Sequence, residues 1–321
     1  MQTIANPWLW GGFVVVVIVA LLADLVLMRH GGPHKVTFKE ALWWSIGWIA
    51  LALAFNAGLW WYLHQTLDAA NANRISLEFL TGYLVEKSLA VDNIFVFLMV
   101  MSYFAVPEEQ RQRVLVIGVL GAIFLRAIMI FAGAALLTKF HWLLYVFGAF
   151  LLFTGIKMWM SAGSEPDLEA NPALKYMRKH LRLTDGYVGH DLSVVRDGKR
   201  WFTPLFVVLI LIAVTDVIFA VDSIPAIFAI TTDPFIVLTS NVFAVLGLRA
   251  MFFLLAGMAD RFHLLPYGLA VVLVYIGAKM LLIDVVKIPV LVSLGVVFGI
   301  LAITVWLSLA RPPKPDGHTK A

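Results

Sequence analysis

The chain has 321 residues, of which 61% are hydrophobic and only 14% charged, with a mean hydropathy of +0.90. A soluble domain carries about 25% charged residues, so this chain cannot clothe a water-facing surface, and a polytopic membrane protein is the class that remains. The absence of cysteine excludes disulfides, thiolate metal sites and thiol redox chemistry, and a net charge of +4 fits membrane-flanking loops without calling for a nucleic-acid partner.

In chain order, nine segments are long and apolar enough to cross a bilayer core, which takes about 20 residues. They are 8–28, 40–63, 77–104, 113–137, 140–160, 203–230, 235–257, 264–284 and 289–310. The expectation is an all-α membrane protein, one polytopic domain over 1–321. The first segment does not read as a cleavable signal, because MQTIAN is uncharged and Arg29, Lys35 and Lys39 follow the apolar stretch. With the N-terminus outside, sixteen Lys and Arg fall on inner loops and the tail, against Arg74, Lys139 and Lys287 on the outer side. That bias predicts a cytoplasmic C-terminus. The long polar loop 161–202 reads as a solvated connector with one short amphipathic helix in ALKYMRKHLRL. Its His190, Asp185 and Asp191 are a weaker candidate for a metal sensor.

The chain repeats itself. EKSLAVDN places Glu86 and Asp92 six apart, and TDVIFAVDS places Asp216 and Asp222 six apart. The stretch 141–158 matches 263–280, aligning His141 with His263, Gly155 with Gly277, Lys157 with Lys279 and Met158 with Met280. The tripeptide LRA recurs at Arg126 and Arg249. Repeat one is 77–160 and repeat two is 203–284, with 8–28, 40–63 and 289–310 flanking them. Three spans per copy is odd, so the second copy enters from the opposite side. Inverted repeats are a common build for secondary transporters, with the substrate at their interface.

Each carboxylate at mid-bilayer costs about 2.5 to 3.5 kcal/mol. Four of them, Glu86, Asp92, Asp216 and Asp222, call for partners. One set is Lys87, Arg126, Arg249, Lys157 and Lys279; the other is a bound cation. Six residues turn a helix through about 600°, so the acids of each motif lie about 120° apart. A local break would change that, and Pro225 can free the Val221 carbonyl beside Asp222. Asn93 and Ser223 add neutral oxygens. An all-oxygen set suits Mg2+, Ca2+ or Mn2+. His141 and His263, at segment starts, read as interfacial. Asp24 is either a gate or proton site or a buried hydrogen-bonded acid, and Lys87, Arg126 and Arg249 are further candidates for proton coupling or gating.

EKSLAVDN, FAVDSIPAIFAITTDPFIVLTSN and GLRAMFFLLAG resemble the motifs of the TerC integral membrane family, and the resemblance runs along essentially the whole chain. It implies a nine-span protein of the bacterial inner membrane that exports manganese, with the family's acidic positions at Glu86, Asp92, Asp216 and Asp222. Proton antiport is the natural drive, since the chain holds no GxxxxGK[ST] nucleotide loop. The expected partners are lipid, a divalent cation as substrate and no nucleic acid, with a homo-oligomer left open. No permanent cofactor and no enzymatic activity are expected. The alternative is a tellurium-resistance or redox-related membrane protein that moves no metal itself.

Overall fold

The computed structural model describes residues 3–30, 37–140, 142–161, 172–196, 198–256, 264–286 and 288–310, with the side chains of 25–30, 91, 92 and 95 outside that description. His141 and His263 lie outside it, so their interfacial reading stays an expectation. The elements are α1 (Pro7–His30), α2 (Phe38–Thr66), α3 (Ala69–Tyr103), α4 (Glu108–Lys139), α5 (Leu143–Ser161), α6 (Pro172–His180), β1 (Ser193–Arg196), β2 (Lys199–Phe202), α7 (Pro204–Phe228), α8 (Pro234–Leu246), α9 (Leu248–Ala256), α10 (Leu265–Leu281) and α11 (Val290–Ala310).

Local chemistry sets the helix starts. Asp68 accepts the Asn71 N–H at 3.2 Å ahead of α3, and Asp233 accepts the Phe235 N–H at 2.9 Å ahead of α8, where Pro234 follows. Side-chain caps of this kind satisfy amides that the first turn leaves unpaired, and proline loses nothing there. The Asn71 side chain holds the exposed Asp68 carboxyl below its ordinary pKa.

Among the described residues six helices are long and apolar enough to cross a membrane, and a seventh results if α8 and α9, bent by 40° at Gly247, form one span. The remaining two expected segments fail on specific grounds. α3 runs for 35 residues but carries Arg74, Glu78, Glu86, Lys87 and Asp92, and α10 has only 17 residues. The expectation of an all-α fold also needs correction. β1 and β2 form an antiparallel hairpin in the 161–202 loop, with Arg196 opposite Lys199 and Gly198 at φ +69° in the turn, a conformation glycine adopts freely.

The break expected near Asp222 lies elsewhere. α7 runs unbroken through Pro225 to Phe228, and α3 is continuous across EKSLAVDN. The kink is in the next helix pair, at Gly247. There Lys87 donates to the Ala244 carbonyl at 3.1 Å, one of the last four carbonyls of α8 that have no partner within the helix, so its charge also meets the negative end of the helix dipole.

Every residue of α8 is buried, as expected of a helix apolar on all sides at the centre of a bundle. α2, α3, α4 and α7 surround it. The opposite surface carries Trp8, Trp43, Phe124, Phe153, Phe298 and Trp306, all exposed, which is the apolar coat that lipid requires. Small residues bring the helices close. A Cβ added at Gly155 of α5 would sit 2.9 Å from the Ala270 O and Val274 N of α10, and one at Gly277 would sit 2.8 Å from the Gly148 O and 2.7 Å from the Leu152 N. With 148 meeting 277 and 155 meeting 270, the two helices run antiparallel.

Candidate metal centre

Arg126 of α4 is wholly buried. Its Nε and Nη2 donate to the Asp216 carboxylate of α7 at 3.2 and 2.9 Å, and Nη1 donates to Glu86 Oε1 of α3 and, at 3.3 Å, to Asn241 Oδ1 of α8. One guanidinium therefore pins four helices. Its planar fork suits two carboxylates, and in a low-dielectric interior the contacts offset desolvation only because donors and acceptors are matched. Glu86 and Asp216, placed by the sequence in a cation cage, are thus brought together, but on an arginine.

The network is left incomplete on one side. Glu86 Oε2, Asn93 Oδ1 and Ser223 Oγ are buried and have no hydrogen-bond partner in the structure. All three residues line one cavity of about 30 Å3, together with Arg126, Asp222 and Met158. Buried polar atoms are nearly always paired, and this volume admits a water or a desolvated ion. Thr154 and Lys157 of α5 lie near Asp222. Glu86, Asp216 and Asp222 stand against Arg126 and Lys157, a surplus of one negative charge. The donor set offers a cation carboxylate, amide and hydroxyl oxygens, which suits hard and borderline dications. Among the described residues no three His, Asp or Glu side chains gather as a ligand group. The Asp92 side chain is outside the described residues.

The other charged candidates part company. Arg249, the sequence counterpart of Arg126, pairs with Asp24 of α1, both part-buried. Lys279 donates to Ser293 Oγ at 3.1 Å. His190 and the exposed Asp185 and Asp191 form no metal group among the described residues. Their loop is tied down through its backbone instead, Gln110 donating to the Gly189 carbonyl at 2.6 Å and Arg113 to that of His190 at 3.0 Å. A second cavity, of about 300 Å3, is lined by Arg74, Glu78 and Asp233, but its acids have partners: Arg74 on Glu78 at 2.5 Å, and Thr3 and the Ile4 amide on Asp233 at 2.8 and 2.7 Å. Sequence reasoning missed Asn241, Thr154 and Met158 as site residues. The polar triplet Thr239–Ser240–Asn241 inside an apolar helix was the available signal for the first; the other two carry none.

The chain matches the integral membrane protein TerC family over residues 71–315, and it belongs to that family. It is 59% identical over 304 residues to Alx of Escherichia coli (strain K12), described as a proposed membrane-bound redox modulator, covering 95% of each chain. A Salmonella typhi protein of the same name is 57% identical over 318 residues, 98% of this chain and 99% of the relative. A Myxococcus xanthus membrane protein is 48% identical over 309 residues, 96% and 94% of the two chains. No solved structure matches the chain.

Proposed function

We propose that this member of the TerC family is a secondary transporter that exports a divalent cation, above all Mn2+, and that the cavity between α3, α5 and α7 holds that cation. The observation that carries the reading is the set of three unpartnered buried oxygens, on Glu86, Asn93 and Ser223, around one cavity beside Asp222. A cation entering there would satisfy all three, and the Asp92 carboxylate, in the same motif, would add charge.

An inverted-repeat architecture supports the same reading. A shift of 122 residues carries Gly155 onto Gly277, Gly148 onto Ala270 and Leu152 onto Val274. The contacts of Gly155 with Ala270 and Val274 and those of Gly277 with Gly148 and Leu152 are therefore one contact seen twice. An antiparallel pair related in this way needs a two-fold axis across the helices, lying in the membrane plane for an inverted repeat. Glu86 and Asp216, equivalent positions of the two copies, meet on Arg126 at that interface. In this reading α3, the α8–α9 pair and α10 complete nine crossings in the bacterial inner membrane, with the C-terminus in the cytoplasm.

Export works against an inside-negative potential, at about 2.3 kcal/mol per charge per 100 mV. Proton entry is the matching drive. A proton taken up by Glu86 or Asp216 weakens the hold of Arg126 on α3 or α7, so protonation and helix rearrangement are linked. Proteoliposomes test this directly. An imposed proton gradient should move Mn2+ in the opposite direction, Asp222→Ala or Asp92→Ala should abolish the movement, and Glu86→Gln should uncouple it from protons. Parent vesicles that move no Mn2+ would sink the reading. The name of the relatives favours a second one, modulation of redox state without metal movement, and that result would point to it.

A further inference from the structure

We propose that Met158 is the selectivity residue of this cavity, its thioether favouring a first-row transition-metal dication over Ca2+ and Mg2+. The inference rests on the cavity being a cation site and names what that site prefers. An oxygen-only cavity would admit the hard dications freely. This one is not oxygen-only. Met158 lines it alongside Glu86, Asn93, Asp222 and Ser223, and it is the one lining residue that carries sulfur. Its place follows from helix geometry. Leu144, Gly148, Leu151 and Gly155 form the buried face of α5 that meets α10. Thr154 and Met158, four residues apart, share the neighbouring face. Thr154 lies near Asp222 of α7, and Met158 lines the same cavity one turn further on. A space of about 30 Å3 cannot hold a hydrated ion, so a cation there must take its ligands from the walls. One residue of that wall, Met158, carries a neutral, polarisable thioether. Ca2+ and Mg2+ gain little from such a ligand in exchange for a water oxygen; a thioether suits the softer metals, and Mn2+, oxygen-preferring but the first of the transition series, gives up less to it than they do.

The test is metal binding by the purified full chain in detergent, measured for Mn2+, Cd2+, Ca2+ and Mg2+ separately and in competition, on the parent and on Met158→Leu, a substitution that conserves volume. The parent should prefer Mn2+ and Cd2+ to Ca2+. Met158→Leu should lose about tenfold in Mn2+ affinity, the low end of what groups around a metal site contribute, while its Ca2+ affinity is unchanged or higher. A parent that binds Ca2+ as tightly as Mn2+, or a leucine variant with the parent's Mn2+-to-Ca2+ ratio, overturns the assignment. A parent that binds none of the four overturns the cation site itself, a different failure. A second measurement needs no variant. The chain has no cysteine, so a sulfur scatterer in the X-ray absorption spectrum of Cd2+-loaded parent can only be methionine. A shell of oxygen alone in that spectrum refutes the proposal.

Discussion

At the scale of single residues, the interior is organised by one arginine. Arg126 supplies the positive charge shared by Glu86 and Asp216, two groups that could not stay charged side by side in an apolar medium without it. Arg126→Leu should therefore destabilise the protein by about 3–5 kcal/mol, because it leaves two buried carboxylates uncompensated. Arg126→Lys should recover part of this, since it restores the charge but not the fork. Thermal unfolding in detergent should rank parent above lysine above leucine, and a leucine variant as stable as the parent would remove the network from any structural role. That Glu86, Asp92, Asp216 and Asp222 would need partners was legible from their place in apolar segments. Which acid takes which partner was not, because the sequence offers five basic residues within those segments and only packing brings one of them within 3 Å of Asp216.

At the scale of elements, the joint at Gly247 is the sharpest constraint. A Cβ there would lie 2.5 Å from Lys87 Nζ and 3.1 Å from Trp48 Cβ. Gly247→Ala should thus displace Lys87 from the Ala244 carbonyl and cost about 1–3 kcal/mol through overpacking. The cost should shrink in a Lys87→Met background, and a double-mutant cycle reads that coupling; strictly additive effects would mean the two do not meet. The 161–202 loop is the element sequence reasoning read least well. The run VVRDGKRW contains Asp-Gly between two strand-like flanks, a strong hairpin signal that the reading of a solvated connector with one short helix leaves out. The loop is docked through Tyr187, whose hydroxyl donates to the Phe104 carbonyl at 2.8 Å. Burial pushes that hydroxyl's pKa up to about 12. The raised value means the neutral form is the docked one, so its contribution is full below about pH 10, the ordinary tyrosine value, and is lost as pH rises towards 12. Amide exchange in β1 and β2 should quicken across that window, and Tyr187→Phe should quicken it at every pH.

At the scale of the whole molecule, orientation is the property that the charge count addresses. A reporter fused after Ala310 should read cytoplasmic and a tag before Pro7 external; an external C-terminus would count against the inverted arrangement proposed for the two copies. Composition alone determined that this chain lives in a membrane, since 14% charged residues cannot cover a water-facing surface. Hydropathy located the apolar helices, because burial in lipid is a property of each segment by itself, but it began α3 eight residues late and ran α8 and α9 together. Repetition in the order of residues is what suggests two copies, because duplicated chemistry survives there. What the sequence could not decide was contact. Arg126 and Arg249 look alike in LRA, but one is wholly buried and the other, part-buried, pairs with Asp24. The kink sits at Gly247 rather than at Pro225, because a proline in the last turn of α7 removes one hydrogen bond near an end that frays anyway, while Gly247 lets Lys87 and Trp48 close on the backbone. Cavity walls belong to the same class: Glu86, Met158 and Asp222 come from three helices, and only the packing of those helices makes them neighbours.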